Sequence, residues 1–580
     1  MSEVDSSVPP PLTASRLATL CAESARDAFV EYERRFDEMT RRGSARFRSR
    51  EWNRSFGDAR ERLRLYSSVV DGATARVRDL MGSRLEDRSI WTAIKAVYSA
   101  LIARSNRWEI AESFFNSLTR RVFTTEGVNQ EIEFVDTDFD TPAGEQAEIA
   151  RIYTGAPLPE LILRLLTDKN AGGSALESWH DLRSAIQAAA DRLLAVAPKL
   201  KALEIITAVF YRGRGAYIVG RGLGDDVTVP IAFCLLHPGA RGITLDALLL
   251  GEGDLAILFS YTRAPFHVDA PCPFRLVRWL RELMPTKRLA DLYNAIGYNR
   301  HAKTEFYRDF KRHLDHSHDT FVEAKGTRGM VMIVFTLPSY EVVFKLIRDR
   351  FDAPKESDRS DVMRRYKLVF EHDRVGRLVE AYEFEHLRIP RVRFDKAFLE
   401  EITSHAAATV RFDGDDVLIA HCYVERRVRP LNLFFADADT DSNIAAACDY
   451  GQSIKDLAAS NIFPGDLLTK NFGLTGRNRV VFYDYDELCF LTDCNFRELP
   501  QSRTYEEEMS AEPWFSVREN DIFPEEFPRF LAFPEQARAK LMERHGDLFH
   551  PKFWREMQEK HRAGDWPDIF PYAVDRRLSH

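Results

Sequence analysis

The chain has 580 residues, which at roughly 100–200 residues per domain predicts two large domains or several small ones. Apolar residues make up 45% and aromatic residues 12% of the sequence, and this composition excludes a wholly disordered protein. The formal net charge of -8 comes from interspersed charges of both signs. Charge alone therefore predicts no nucleic-acid partner.

The seven cysteines are nowhere spaced as C-x-x-C, which favours a reducing compartment over a disulfide framework or a zinc site. No segment approaches the roughly 18 consecutive apolar residues of a membrane-spanning helix. The N-terminal residues also lack a charged segment followed by an apolar one. We therefore expect a cytoplasmic protein with no membrane partner.

The first half of the chain has mainly helical periodicity. Apolar residues recur every four positions at Ile110, Phe114 and Leu118, as on one face of a helix. Short β-rich runs follow between about 203 and 268, and the last of them, residues 254–268, is expected to be a strand like the others. Helical spacing then continues to about 318. This order predicts a mainly helical domain over 1–320 with a small β region.

The second half, 321–580, mixes strand and helix patterns, so the whole chain is predicted to be α+β, with two lobes in this half. Residues 364–387 are expected to form one long polar helix. Beyond residue 500, aromatic residues occur without periodicity, and they fit either buried packing or a docking surface for a protein partner. These residues are Trp514, Phe515, Phe523, Phe527, Trp554 and Trp566.

The strongest chemical pattern is the segment NIFPGDLLTKNFG, followed by the apolar run VVFY and the residues DYD. It places Asp466, Asn471 and Asp484 at the spacing of a protein-kinase catalytic loop and its metal-binding aspartate. Phosphoryl transfer needs a carboxylate near the attacking hydroxyl, together with an amide oxygen and a second carboxylate on the metal ions. These three residues can fill those roles in that order.

A glycine-containing loop and two predicted strands precede this pattern. The strands cover about 330–336 and 341–347, and Lys345 lies on the second, where it could pair with the α- and β-phosphates of ATP. Kinases pair such a lysine with a helical carboxylate, and sequence alone does not choose among the acids of the predicted helix 364–387. The candidates are Glu371, Asp373, Glu380, Glu383 and Glu385. The segment from Cys422 to Glu425 is the expected adenine-binding hinge.

Several long blocks resemble the isocitrate dehydrogenase kinase/phosphatase family over nearly the whole chain. They are WEIAESFFNS from Trp108, HAKTEFYR from His301, GTRGMVMIVFTLPS from Gly326, VFKLIRDRF from Val343, EHDRVGR from Glu371, SNIFPGD from Ser460 and VVFYDYDE from Val480. The resemblance implies a helical regulatory domain and a bilobal kinase-like domain. It also implies ATP or ADP with Mg²⁺ or Mn²⁺, and reversible phosphorylation of a serine in isocitrate dehydrogenase. That reaction switches carbon between the citric acid cycle and the glyoxylate bypass.

The resemblance also implies roles for individual residues. Asp466 corresponds to the catalytic-loop aspartate, Asp484 to the metal aspartate, and Asp486 to the aspartate linked to phosphatase action. Glu380 stands where the family has an active-site aspartate. The ATP lysine is Lys345, and the ATP loop comprises Ala324, Lys325, Gly326, Thr327, Arg328, Gly329 and Met330. AMP is a candidate allosteric ligand, and a homodimer is a candidate assembly.

Two other functions fit the motifs taken alone. A small-molecule kinase of the aminoglycoside-phosphotransferase type also has an aspartate, an asparagine five residues later and a D-x-D after a strand. A non-catalytic regulator that binds ATP or AMP would keep the cavity without the chemistry. The long N-terminal half argues against the first alternative, and the complete set of Lys345, Asp466, Asn471 and Asp484 argues against the second.

Overall fold

The computed structural model describes residues 12–135, 148–168, 179–239, 242–261, 264–352, 357–500, 515–567 and 569–578. The chain divides into two compact units. The first comprises Met1–Phe259, Pro265–Arg312 and Tyr572–His580, and the second comprises Ser260–Ala264 and His313–Pro571. The prediction placed one boundary near residue 320. In the structure, the short segment Ser260–Ala264 belongs to the second unit and the C-terminal segment Tyr572–His580 belongs to the first.

The first unit begins with four helices, α1 (Ala14–Ser49), α2 (Trp52–Met81), α3 (Arg88–Ile102) and α4 (Trp108–Phe123). Thr13 caps α1 by accepting a hydrogen bond from the Arg16 amide. The predicted apolar stripe of α4 is confirmed, since Ile110, Phe114 and Leu118 are all buried. These helices share one apolar core with the later helices α8 (Pro273–Leu283) and α9 (Leu289–Ala295).

The first unit also contains a six-stranded antiparallel sheet, with strand order β1-β2-β4-β5-β6 and β3 paired to β4. Its strands are β1 (Ala150–Thr154), β2 (Leu200–Ile206), β3 (Phe210–Arg212), β4 (Gly215–Gly224), β5 (Thr228–Leu236) and β6 (Thr244–Leu250). The remaining helices are α5 (Leu158–Thr167), α6 (Leu182–Val196), α7 (Gly251–Leu258) and α10 (Asn299–His316), the last of which continues into the second unit.

Helix α7 corrects the prediction that residues 254–268 form a strand. Gly251 has φ +83°, a left-handed conformation that ends β6. Glu252 and Asp254 lie in the first turn, where acidic side chains favour a helix N-terminus. The apolar run that follows is short, and a run of this length has no periodicity that separates a helix from a strand.

A six-stranded antiparallel sheet opens the second unit, with strand order β10-β12-β9-β8-β7 and β11 paired to β12. Its strands are β7 (Val322–Glu323), β8 (Met332–Thr336), β9 (Val342–Ile347), β10 (Ala381–Pro390), β11 (Val410–Asp413) and β12 (Asp416–Arg426). The two strands predicted around Lys345 are therefore confirmed as β8 and β9. Helices α11 (Arg359–His372) and α12 (Lys396–His405) lie between the strands in sequence.

The predicted helix over 364–387 is wrong in its second half. Helix α11 ends at His372, and Gly376 follows it with φ +58°. Residues 381–390 form β10, in which apolar and charged side chains alternate on either side of His386, a residue with φ +55°. Glu383 and Glu385 therefore lie on a strand, where the period of two in the sequence YEFE could have placed them.

The remainder of the second unit is mainly helical with short strands. The helices are α13 (Leu431–Asp437), α14 (Thr440–Ala459), α15 (Phe527–Phe530), α16 (Glu535–His545) and α17 (Pro551–Arg562). The strands are β13 (Arg429–Pro430), β14 (Ile462–Phe463), β15 (Phe472–Leu474), β16 (Val480–Phe482), β17 (Cys489–Phe490), β18 (Asn495–Phe496) and β19 (Asp521–Ile522). One apolar core joins α14, α16 and α17 to residues of α11, β12 and β16.

Candidate active site

A cavity of about 1440 Å³ lies in the second unit. Its walls include the loop after β7, the end of β12, the segment between β14 and β15, and the segment after β16. The structure thus brings together most of the predicted site residues. Those lining the cavity are Ala324, Lys325, Gly326, Thr327, Arg328, Gly329, Met330, Lys345, Asp466, Asn471, Asp484 and Asp486.

The loop from Ala324 to Met330 connects β7 to β8 at one edge of the cavity. Its backbone needs glycine at Gly326, which has φ +145°. Arg328, one of the predicted ATP-loop residues, forms an ion pair with Glu401 on α12, so its charge already has a carboxylate partner. The Lys325 side chain is exposed at the cavity.

A left-handed turn presents Asp466 to the cavity. Gly465 has φ +83°, and a Cβ at this position would lie 2.5 Å from the carbonyl oxygen of Glu487, so only glycine fits. The Asp466 carboxylate accepts a hydrogen bond from the Leu468 amide at 2.8 Å and another from the Asn471 side chain. Burial raises the pKa of Asp466 above its ordinary value, and the Leu468 amide opposes that effect.

Asp484 and Asp486 follow β16, which was predicted as the buried strand VVFY. The strand ends at Phe482, so both aspartates lie beyond it, Asp484 in irregular chain and Asp486 at the start of a turn, and both line the cavity. Between them, the buried Tyr485 donates a hydrogen bond to the Val379 carbonyl oxygen. This contact fixes the turn from one side.

Arg377 holds β16 in place, and we did not predict it as a site residue. Its buried guanidinium forms two hydrogen bonds with Asp449 of α14, one with Asp456 and one with the Val480 carbonyl oxygen, all at 2.8–2.9 Å. Asp449 in turn accepts from the Val480 amide at 2.7 Å. The base of the aspartate-bearing segment is therefore joined to α14 both through this arginine and directly through Asp449.

The partner of Lys345 corrects another expectation. Its Nζ lies 2.8 Å from Oε2 of Glu425 on β12 and donates a hydrogen bond to the Tyr483 carbonyl oxygen at 2.7 Å. None of the acids of residues 364–387 supplies this ion pair. From sequence, Glu425 is predicted as part of the hinge and not as the partner of Lys345. A glutamate in the apolar strand LIAHCYVE is costly to bury without a cation, and this cost is the sequence signal for a paired carboxylate.

Glu380 is not among the residues that line the cavity. It lies between the bridge of Leu378 to Phe482 and the start of β10. Its catalytic role stays a prediction. The hinge expected over 422–425 reaches the cavity only at Glu425, because the cavity wall runs from Glu425 to Pro430 and the side chains of Cys422 and Tyr423 are buried. Its adenine-binding role stays a prediction.

Comparison with known proteins covers both units. The family model described as "Isocitrate dehydrogenase kinase/phosphatase (AceK) kinase domain" matches residues 319–574. The model described as "Isocitrate dehydrogenase kinase/phosphatase (AceK), regulatory domain" matches residues 22–318. The chain belongs to the isocitrate dehydrogenase kinase/phosphatase family.

Similar relatives extend over the full length of this family member. An isocitrate dehydrogenase kinase/phosphatase of Anaeromyxobacter sp. (strain Fw109-5) is 43% identical, covering 95% of this chain and 96% of the relative. One from Xanthomonas euvesicatoria pv. vesicatoria (strain 85-10) is 42% identical over 98% and 99% of the two chains. The family assignment therefore confirms the resemblance read from the sequence blocks and the α+β fold with a regulatory and a kinase domain.

The cavity lies within the residues that match the kinase-domain model, and a kinase domain uses ATP. Lys345, Asp466, Asn471 and Asp484 occur in the order in which kinases place the lysine, base and metal residues. Within the described ranges, no helix is long and apolar enough to cross a membrane.

Proposed function

We propose that this protein phosphorylates a serine of isocitrate dehydrogenase with ATP and removes that phosphate again, using the one cavity of its kinase domain for both reactions. The observation that carries the proposal is the convergence of Lys345, Asp466, Asn471, Asp484 and Asp486 on that cavity. Through this switch the protein controls flux between the citric acid cycle and the glyoxylate bypass.

The phosphorylation step assigns a role to each side chain. The Lys345 ammonium pairs with the α- and β-phosphates, and the loop from Ala324 to Met330 covers them with backbone amides. Asp466 accepts the proton of the serine hydroxyl while the hydroxyl oxygen bonds to the γ-phosphorus and ADP leaves. The raised pKa of Asp466 brings this base closer to the pH at which it works.

Asn471 and Asp484 are the residues that would hold Mg²⁺ or Mn²⁺. No group of three or more His, Cys, Asp or Glu side chains arranged for a metal ion occurs in the part of the chain that the structure describes. An amide and a carboxylate fit an ion that takes its other oxygens from nucleotide phosphates and water. When bound, the ion neutralises charge on the phosphates. AMP as an allosteric ligand and a homodimer stay predictions from the family resemblance.

Dephosphorylation needs water in place of the serine hydroxyl. Asp486 lies two residues beyond Asp484 and lines the same cavity, so its carboxylate can orient a water molecule toward the phosphoserine phosphorus. The products are serine and inorganic phosphate.

The direct test incubates the protein with purified isocitrate dehydrogenase and ATP labelled in the γ-phosphate. We expect label on the dehydrogenase, and its release as inorganic phosphate when the labelled ATP is replaced by unlabelled ATP. Lys345→Met should bind ATP weakly and lose both activities, because the phosphate-pairing cation is gone. Label on a small metabolite instead of the dehydrogenase would establish the small-molecule kinase alternative.

A further inference from the structure

The carboxylate beside the ATP lysine comes from a strand. In the β9–β12 ladder, Tyr423 lies opposite Lys345 and Glu425 opposite Val343, so Glu425 is the diagonal neighbour of Lys345 on the same face of the sheet. The ion-paired side chains are 6% and 1% exposed. Because two charges at this depth are stable only with their partners present, the pair is fixed as a unit.

Helix α11 reaches the same carboxylate through a tyrosine. The Tyr366 hydroxyl donates a hydrogen bond to Oε1 of Glu425 at 3.0 Å, while Oε2 is taken by Lys345. The Tyr366 ring stacks on Tyr423 of β12 with ring centroids 3.8 Å apart and planes 8° apart. Both oxygens of Glu425 are thus engaged, and the helix is joined to the strand by a contact that is both apolar and polar.

We infer that Glu425 is a positioning residue for Lys345, and that Tyr366 makes the position of this carboxylate depend on α11. The inference rests on the proposed function and adds residues that the motifs do not identify. In protein kinases the helix supplies the carboxylate itself, so a shift of the helix breaks the ion pair. Here the ion pair belongs to the sheet, and a shift of α11 removes only one hydrogen bond from it.

Glu425→Gln tests the first part, because glutamine keeps the shape and the acceptor oxygen but removes the charge. We expect kcat for phosphorylation to fall at least about tenfold, while affinity for ATP changes less, since the unpaired ammonium still attracts phosphate. Glu425→Asp, which restores the charge on a shorter side chain, should recover part of the loss. A Gln variant with wild-type kcat, or an Asp variant no better than Gln, would overturn the assignment.

The sign of a stability change separates pairing from a general structural role. In the otherwise wild-type protein, Glu425→Gln should lower the melting temperature. In a Lys345→Met background, Glu425→Gln should raise the melting temperature, because the substitution removes a buried carboxylate that has lost its cation. Equal destabilisation in both backgrounds would show that Glu425 does not act through Lys345. This measurement needs no substrate, so it stands even if the labelling of isocitrate dehydrogenase fails.

Tyr366→Phe tests the link to α11, since phenylalanine preserves the stacking on Tyr423 and loses only the hydroxyl. We expect kcat to fall by about three- to tenfold, less than in Glu425→Gln, and no further loss when both changes are combined. The matched control is Glu383→Gln on β10, whose carboxylate bonds to His421 at 2.9 Å. Additive losses in the double variant would contradict the link.

Discussion

At the scale of single residues, the two aspartates of the cavity have different surroundings. Asp466 lies behind a glycine turn and accepts hydrogen bonds from the Leu468 amide and the Asn471 side chain. Asp486 lies in the turn after β16, two residues beyond Asp484. Asp466 is therefore placed to contact a serine hydroxyl near the predicted catalytic loop. Asp486 is placed to contact a water molecule near the predicted metal-binding residues.

Asp466→Ala should lower kinase activity by at least about 10²-fold, because a positioned general base is lost, and should lower phosphatase activity less. Since burial raises the pKa of Asp466 and keeps it protonated to higher pH, the acid side of the wild-type kinase profile should lie above the pKa of an unperturbed aspartate. Rates of labelling measured across pH check both statements.

Asp486→Ala should give the reverse pattern, with phosphatase activity lost and much of the kinase activity retained. Both activities are measured on both variants, with a melting temperature for each to detect unfolding. Parallel losses of the two activities in both variants would contradict the division of roles.

At the same scale, sequence identified residues through spacing and missed those that act through tertiary contact. Asp466, Asn471 and Asp484 were found because their separation along the chain carries the pattern. Glu425 and Arg377 meet their partners from distant elements, and no spacing records such contacts. Only the cost of burying a charge in an apolar strand marked Glu425 in advance.

At the scale of elements, the C-terminal residue Trp554 packs against the strand that precedes the predicted catalytic loop. Trp554 of α17 is fully buried, and its ring packs against Phe463 of β14 and Phe496 of β18 with centroids 5.5 and 5.0 Å away. Phe463 lies two residues before Gly465. Buried packing therefore describes Trp554, while Trp514 lies outside the described residues. Truncation after residue 500 would therefore remove part of this core.

Trp554→Ala should destabilise the kinase domain by about 3–5 kcal/mol, the usual effect of removing a buried tryptophan. Phe530→Ala is the matched control, because the Phe530 side chain is 62% exposed and should contribute little. Thermal and urea unfolding curves measure both. Similar stability of the two variants would show that α17 does not support the catalytic segment.

Element predictions succeeded where one period ran through a whole segment, as in α4 and in the strands around Lys345. They were wrong where the period changed within an apparently continuous run. Residues 364–387 change from helix to strand at Gly376, and residues 251–258 are too short for the period to decide. In both cases a glycine with positive φ marks the change.

At the scale of the whole molecule, the first unit contains a buried acid that makes its stability depend on pH. Burial raises the pKa of Glu109 to about 8 from a usual value of 4.5, and its Oε1 accepts a hydrogen bond from the Tyr293 hydroxyl at 3.5 Å. The folded unit favours the neutral acid. The stability from Glu109 is therefore complete below its unfolded pKa and is lost as pH rises through about 8.

Glu109→Gln should accordingly raise the melting temperature of the first unit at about pH 9 relative to wild type, and by much less at about pH 5. The control is Glu31→Gln on the exposed face of α1. Its hydrogen bond with Arg34 lowers the pKa of the Glu31 carboxyl, so this residue is ionised at both assay pH values and its replacement should leave the change between them unaltered. Calorimetric scans at both pH values decide the matter. A Gln variant with the same pH dependence as wild type would contradict burial of an ionisable Glu109.

The central claim is that one cavity performs both reactions, and Asp484→Asn tests it most directly. Asparagine keeps the shape of the residue and removes the metal-binding charge. The measurement is transfer of labelled phosphate to isocitrate dehydrogenase and its release from dehydrogenase labelled beforehand, made on a variant with wild-type melting temperature. We predict that both rates fall together by at least about 10²-fold. Release of phosphate at the wild-type rate by a variant that cannot phosphorylate would place the phosphatase elsewhere and contradict the account.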